Sequence, residues 1–188
     1  MTSAVEIIEI LSKAENAQHP LRFPLDSHSA RHAGMYAWWA DDMARSDLGR
    51  PLGLTLPPLI YVGQAGATRW PSGTRSGATL RSRIGQQHIR GNARSSTFRL
   101  TVSALLLDQL ELSVAGGGRL DPASNVRMSA WIAEHLRVAI APVDDRDTLS
   151  AIEAEVVAAL DPPLNLGHCL STDARRTLTA RRTALSHR

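Results

Sequence analysis

The amino-acid sequence predicts one domain of mixed α and β structure, with three short strands separated by helices. Short runs rich in aromatic and β-branched residues, GMYAWW, LIYV and VAIAPV, have the length and composition of strands. Between them, longer segments carry apolar residues at helical spacing. The 188 residues, 43% hydrophobic and 21% charged, suffice for one well-formed core with extensions.

Taken in order, Ala4 to Ala17 has the pattern of a helix. His19 to Ser29 (HPLRFPLDSHS) is a proline-punctuated connector. Gly34 to Trp39 is the first strand. Asp41 to Pro58, polar and bearing Gly and Pro, reads as a loop. Leu59 to Val62 is the second strand, ended by Gly63. Gly66 to Gly77 (GATRWPSGTRSG) reads as a long basic loop. Thr79 to Ile89 suits a helix capped by Thr79, with Gly91 and Asn92 behind it. Ser95 to Leu110 fits helix or strand. The helix reading is taken because Ser95 and Ser96 supply caps and Leu106 and Leu110 continue a helical stripe. A Gly-rich loop, Ala115 to Ser124, leads to a helix from Ser124 to Leu136 and a third strand from Val138 to Val143. Asp147 to Leu160 is a helix stopped by Asp161-Pro162-Pro163. Thr172 to Leu185 closes the chain as a basic helix. Residues 1–33 are thus an N-terminal helix and linker, 34–166 the core with inserts, and 167–188 a basic C-terminal helix.

No apolar run approaches the ~20 residues of a membrane span. The acidic, amphipathic N-terminal segment resembles neither a secretory signal nor a transit peptide. Cys169 is the single cysteine, which excludes an internal disulfide framework and a Cys-based zinc site. A cytoplasmic setting is expected. The net charge is only +3, but it is unevenly spread. Leu48 to Leu107 contains no Asp or Glu and carries Arg50, Arg69, Arg75, Arg81, Arg83, Arg90, Arg94 and Arg99. Coding bias accounts for Arg outnumbering Lys; it does not account for a window empty of acids. A polyanionic partner does, and nucleic acid is the obvious one. Arg69, Trp70, Arg75, Arg81, Arg90 and Arg94 are the expected contacts. Trp70 either stacks on a base or anchors its loop.

The helix from Asp147 to Leu160 holds the most informative residue. At about 100° per residue, Leu149, Ile152, Val156, Val157 and Leu160 share one stripe. Glu153 falls within that stripe, and Glu155 points almost the opposite way. A carboxylate among core-facing apolar groups is costly unless paired, protonated or bound to a cation. A base, metal or substrate must compensate it.

Further pieces surround it in sequence order: Gly34-Met35-Tyr36 on the first strand, Tyr61-Val62-Gly63 on the second, Arg83 and His88 on one helix, and Asn165 twelve residues after Glu153. In this set the chain resembles the GIY-YIG nuclease family. GMY and YVG stand for the two tripeptides, LRSRI for the family's Arg helix, and IEAEVVAALDPPLN for its Glu helix with the turn and Asn behind it. The resemblance covers about Gly34 to Asn165. Met and Val replace Ile in the tripeptides, both mild changes. The tyrosines are separated by 24 residues, and an insert of about 20 lies between Leu112 and Trp131; these obscure the subfamily.

The resemblance implies a small three-stranded antiparallel sheet flanked by helices, an α+β core with helical extensions at both termini. It also implies a divalent-metal-dependent endonuclease hydrolysing DNA phosphodiester bonds, with RNA as a further substrate class. Glu153 is the expected ligand for Mg²⁺ or Mn²⁺, since such a hard cation often takes one or two carboxylates and keeps its waters. Arg83 offers a charged fork to the phosphate. Tyr36, Tyr61 or His88 serves as general base; a free phenol titrates near ~10, so a tyrosine base needs a lowered pKa. In a regular helix His88 stands about 140° from Arg83, a poor match of faces. Some family members carry the His at four residues, where Gln87 stands here. Asn165 either orients a phosphate or ties the Glu helix to the sheet. His28 and His32, and the adjacent His168 and Cys169, give no metal spacing. Two other classes fit the same residues: a nucleic-acid-binding module without catalysis, and a nuclease subunit that needs a partner. Taken singly, each residue also has a plain structural role; the ordered set favours the enzyme.

Overall fold

A computed structural model describes residues 2–188 of the chain. Its centre is an antiparallel sheet of three strands, β1 (Gly34–Ala40), β2 (Leu59–Ala65) and β5 (Leu136–Pro142), in the order β2-β1-β5. All three predicted strands form. Two strands of two residues each, β3 (Thr68–Arg69) and β4 (Thr74–Arg75), make a separate hairpin within the predicted basic loop.

Alternation along the strands sends side chains to two cores. Met35, Ala37, Val62, Ala139 and Ala141 pack with α1 (Ala4–Leu11) and α5 (Leu149–Leu160) on one face. Tyr36, Trp38, Val138 and Ile140 face the larger core. That core is covered by a π-helix (Arg81–Ile89), α3 (Thr97–Leu106), α4 (Pro122–His135) and α6 (Asp173–Ser186). The helix reading of Ser95–Leu110 holds, and Ser96 caps it by accepting from Arg99 N–H at 3.1 Å. Trp38 is fully buried and stacked on Phe98 at 4.6 Å.

Three expectations need correction. The expected loop Asp41–Pro58 contains a helix, α2 (Asp42–Gly49). Asp41 caps it by accepting from Ala44 N–H at 2.8 Å, and Ala44 and Leu48 are buried. The first helix stops at Leu11, followed by a 3₁₀ turn at Ala14–Asn16. The helix expected from Asp147 begins at Leu149, α5, with Thr148 at its N-cap position without a side-chain bond, and the Asp147 carboxylate accepts from the Thr68 hydroxyl. That bond and Arg146, which donates to the carbonyls of Gly66 and Ser76, tie the root of the hairpin to the entry of α5.

Candidate active site

Tyr36 stands on β1 directly across from Gly63 on β2. A Cβ on Gly63 would lie 2.4 Å from the Tyr36 hydroxyl oxygen, so only glycine lets the phenol cross that strand. The first tripeptide's glycine has a similar basis: a Cβ on Gly34 would meet the Ala141 carbonyl at 2.3 Å. Tyr36 and Tyr61 lie side by side with ring centroids 6.4 Å apart. Phe98 packs against Tyr61 at 5.3 Å.

The helix that follows changes the expected relation of Arg83 and His88. Residues Arg81–Ile89 form a π-helix, closed by Arg90 N–H donating to the Gly85 carbonyl. Bonds that span five residues bring positions five apart round to the same side. The spacing that separates Arg83 from His88 in an α-helix therefore aligns them here. Thr79 still caps the start, accepting from Ser82 N–H at 3.2 Å. Arg83 donates to the Gln87 side chain at 2.8 Å, while its Nε is buried without a partner.

His88 is 2% exposed. Its Nε2 is 2.7 Å from the Tyr36 hydroxyl and its Nδ1 is 2.7 Å from the Ser96 hydroxyl. Burial, then the charges of Arg83 and Arg99, push its pKa from 6.5 down to about 3. Burial thus favours a neutral imidazole behind Tyr36. Arg99 is itself buried and donates to the carbonyls of His88 and Ile89, both at 3.0 Å.

Glu153 lies on α5 beside the buried Ile152, Val156 and Val157. Among the described residues it makes no hydrogen bond and no ion pair. Burial raises its pKa above the usual carboxylate value, and the charges of His168 and Arg83 oppose that rise. Glu155 is exposed, as its position on the helix predicts. The site's groups act on one another. Burial raises Tyr36 well above the ordinary phenol value; Tyr61 and Glu153 add to this and Arg83 opposes it. Tyr61 is pushed up to about 12, by burial and then by Glu153, with Arg182 and Arg83 opposing. Tyr36, Tyr61, Arg83 and Glu153 are therefore within electrostatic reach of one another.

Asn165 is buried against the outer edge of β2. Its Oδ1 accepts from Val62 N–H at 2.9 Å and its Nδ2 donates to the Val62 carbonyl at 2.8 Å. Of its two expected roles, these bonds match the tie between the Glu helix and the sheet.

The basic candidates are scattered. Arg69, Trp70 and Arg75 are exposed on the hairpin, with Arg75 3.8 Å from Asp147. Arg81 is exposed at the start of the π-helix and Arg94 on a 3₁₀ turn. Arg90 lines a different hollow, with His19, Leu21 and Ile89. Ser96, His168 and Arg182 are site neighbours that the sequence pattern did not single out. Only the Ser96 cap signal was visible in the sequence.

No group of three or more ligating His, Cys, Asp or Glu occurs among the described residues. That donor set does not suit zinc, which takes three or four protein ligands. A single unpaired, partly buried carboxylate suits a hard cation that keeps its waters. No helix is long and apolar enough to cross a membrane among the described residues. A family model described as the GIY-YIG catalytic domain matches residues 34–184. Neither the curated proteins nor the solved structures yield a match.

Proposed function

Because the chain belongs to the GIY-YIG nuclease family, we propose that it is an endonuclease hydrolysing DNA phosphodiester bonds with Mg²⁺ or Mn²⁺ at Glu153. The observation that carries this reading is the partly buried Glu153 carboxylate, without a partner among the described residues and within electrostatic reach of Arg83 and the two tyrosines. A buried carboxylate left without a partner is costly unless a ligand completes it.

Charge grows on the phosphate oxygens during attack, and the Arg83 fork meets that charge. Its unpartnered Nε leaves it a donor to spare. Tyr36 takes the proton of the attacking water, and Tyr61 orients that water. Hydrogen-bond accounting supports Tyr36 over His88. The Ser96 oxygen already accepts from Arg99 N–H, and the nearest acceptor for its own proton is His88 Nδ1. That leaves the proton of the neutral imidazole on Nε2, where it donates to the Tyr36 oxygen. An N–H donor behind a phenol and the Arg83 charge favour its phenolate. Burial nonetheless holds the Tyr36 pKa well above the ordinary phenol value, the reverse of the lowered pKa that a tyrosine base needs, so the charge of a bound cation would have to overcome that rise. When bound, the cation would polarise the phosphate, stabilise the departing oxygen and reduce the cost of negative charge nearby. Asn165 braces the turn after the Glu helix against β2 and so fixes Glu153 relative to the tyrosines.

The test is nicking of supercoiled plasmid DNA with Mg²⁺ or Mn²⁺, beside Glu153→Ala. Cleavage by the wild type alone is expected. Equal nicking by both proteins sinks the assignment. Binding that persists without metal, with no cleavage under any metal, gives the non-catalytic module instead.

A further inference from the structure

A hollow of about 470 Å³ is lined in part by Leu166, which follows Asn165, the residue whose amide bonds Val62 next to Tyr61, and the reaction as proposed makes no use of it. Arg182 and Thr183 of α6 and His187 just after it line the hollow, with Gly167 and Leu100. Two of its lining residues relate it to the reaction centre. Arg182 is near enough for its charge to oppose the rise in Tyr61. Gly167 precedes His168, whose charge acts on Glu153.

The lining is cationic and has spare donors. No Asp or Glu lines it. The Arg182 guanidinium is half-buried, yet among the described residues it has neither an ion pair nor a side-chain hydrogen bond. Of the other arginines of α6, Arg175 donates to Asp161 at 2.6 Å and to three backbone carbonyls and Arg176 pairs with Asp173, whereas Arg181, which does not line the hollow, likewise has no partner among the described residues. The hydroxyls of Thr179 and Ser186 are committed to backbone carbonyls, both at 2.9 Å. Those of Thr183 and the ring of His187 make no bond among the described residues. A guanidinium drawn partly out of water with no acid to meet it suits an incoming anion, and its planar fork suits a phosphate.

We propose that this hollow is a phosphate subsite, in which Arg182 holds the phosphodiester next to the one cleaved, on the Tyr61 side. The inference rests on the nuclease reading for its substrate class and adds a contact from α6 to the reaction centre.

The experiment measures the affinity of a fluorescent duplex against KCl concentration, with Ca²⁺ in place of Mg²⁺, for wild type, Arg182→Gln and Arg182→Lys. A DNA duplex is one arm and an RNA duplex of the same sequence the other. Arg182→Gln is expected to weaken binding about tenfold and to lower the slope of log K against log[salt] by about 0.9. Arg182→Lys keeps the slope, since it keeps the charge, and its thermal midpoint guards against a folding defect in the Gln variant. A methylphosphonate at the flanking position weakens wild type by the same factor and leaves Arg182→Gln unchanged. Wild type that binds while Arg182→Gln shows the same affinity and slope overturns the subsite alone. Binding with the expected slope change but no cleavage under Mg²⁺ or Mn²⁺ upholds the subsite and overturns the nuclease reading. No binding to either duplex overturns both.

Discussion

Replacing His88 by Gln and by Phe separates two chemistries that a single deletion would confuse. Gln keeps an N–H donor near the depth of Nε2 but has no basic nitrogen; Phe keeps the ring volume and has neither. If His88 serves Tyr36 as a donor, Phe removes one hydrogen bond to a charged oxygen, about 1.5–3 kcal/mol. At about 1.4 kcal/mol per tenfold, that is roughly a ten- to hundredfold fall in kcat. Gln should retain most of the activity. Single-turnover cleavage of an end-labelled duplex reads the difference. Stability against pH gives an independent check. His88 titrates at 6.5 when unfolded and at about 3 when folded, so below pH 6.5 the unfolded chain binds the extra proton. Wild type then loses stability as pH falls from 6.5 towards 3, by roughly 5 kcal/mol in all at about 1.4 kcal/mol per pH unit. Urea midpoints across that range should fall more steeply in wild type than in His88→Gln, whose remaining slope comes from carboxylates held below their usual pKa, Asp26 and Asp121 among them. Equal losses of about 10²–10⁴ in both variants, the range of a general base, would refute the donor role.

Glu153→Gln should abolish cleavage, whereas Glu155→Gln should leave it intact. The raised pKa of Glu153 means its charge opposes folding as pH rises past 4.5. Glu153→Gln should therefore melt higher than wild type at pH 7 in EDTA, and added Ca²⁺ should raise the melting point of wild type only. Gly63→Ala drives a methyl into the Tyr36 hydroxyl and should cost about tenfold or more in kcat while circular dichroism stays native. Asn165→Ala strips two bonds from Val62; calorimetry should show a loss of about 2–6 kcal/mol at ~1–3 per unpaired buried group.

Much of this site is written in short-range pattern. The tyrosines stand on strands because aromatic and β-branched runs flank them, and Glu153 announces itself by interrupting an apolar stripe. Two features escape such reading. A π-helix differs from an α-helix by one residue of hydrogen-bond register, which composition does not reveal, so the pairing of Arg83 with His88 looked poor in sequence. Contacts between distant helices are equally silent: Ser96 meets His88 through the packing of α3, and Arg182 reaches Tyr61 from α6. The missed α2 is a different case. Asp41 was a readable cap, but Gly49 and Pro51 made the segment look like a loop.

The bonds that seat Asn165 also bear on how this molecule meets copies of itself. A sheet of three strands has two bare margins, each a template for a stray strand. Here the margin of β2 is occupied by Leu164, whose N–H donates to Ile60 at 3.0 Å, and by the amide of Asn165. The margin of β5 is met at Val138 by Gln18, which gives and takes a backbone bond there. Single residues stand in for outer strands at both margins. The same amide that braces the turn after α5 thus also occupies backbone groups that a stray strand would need.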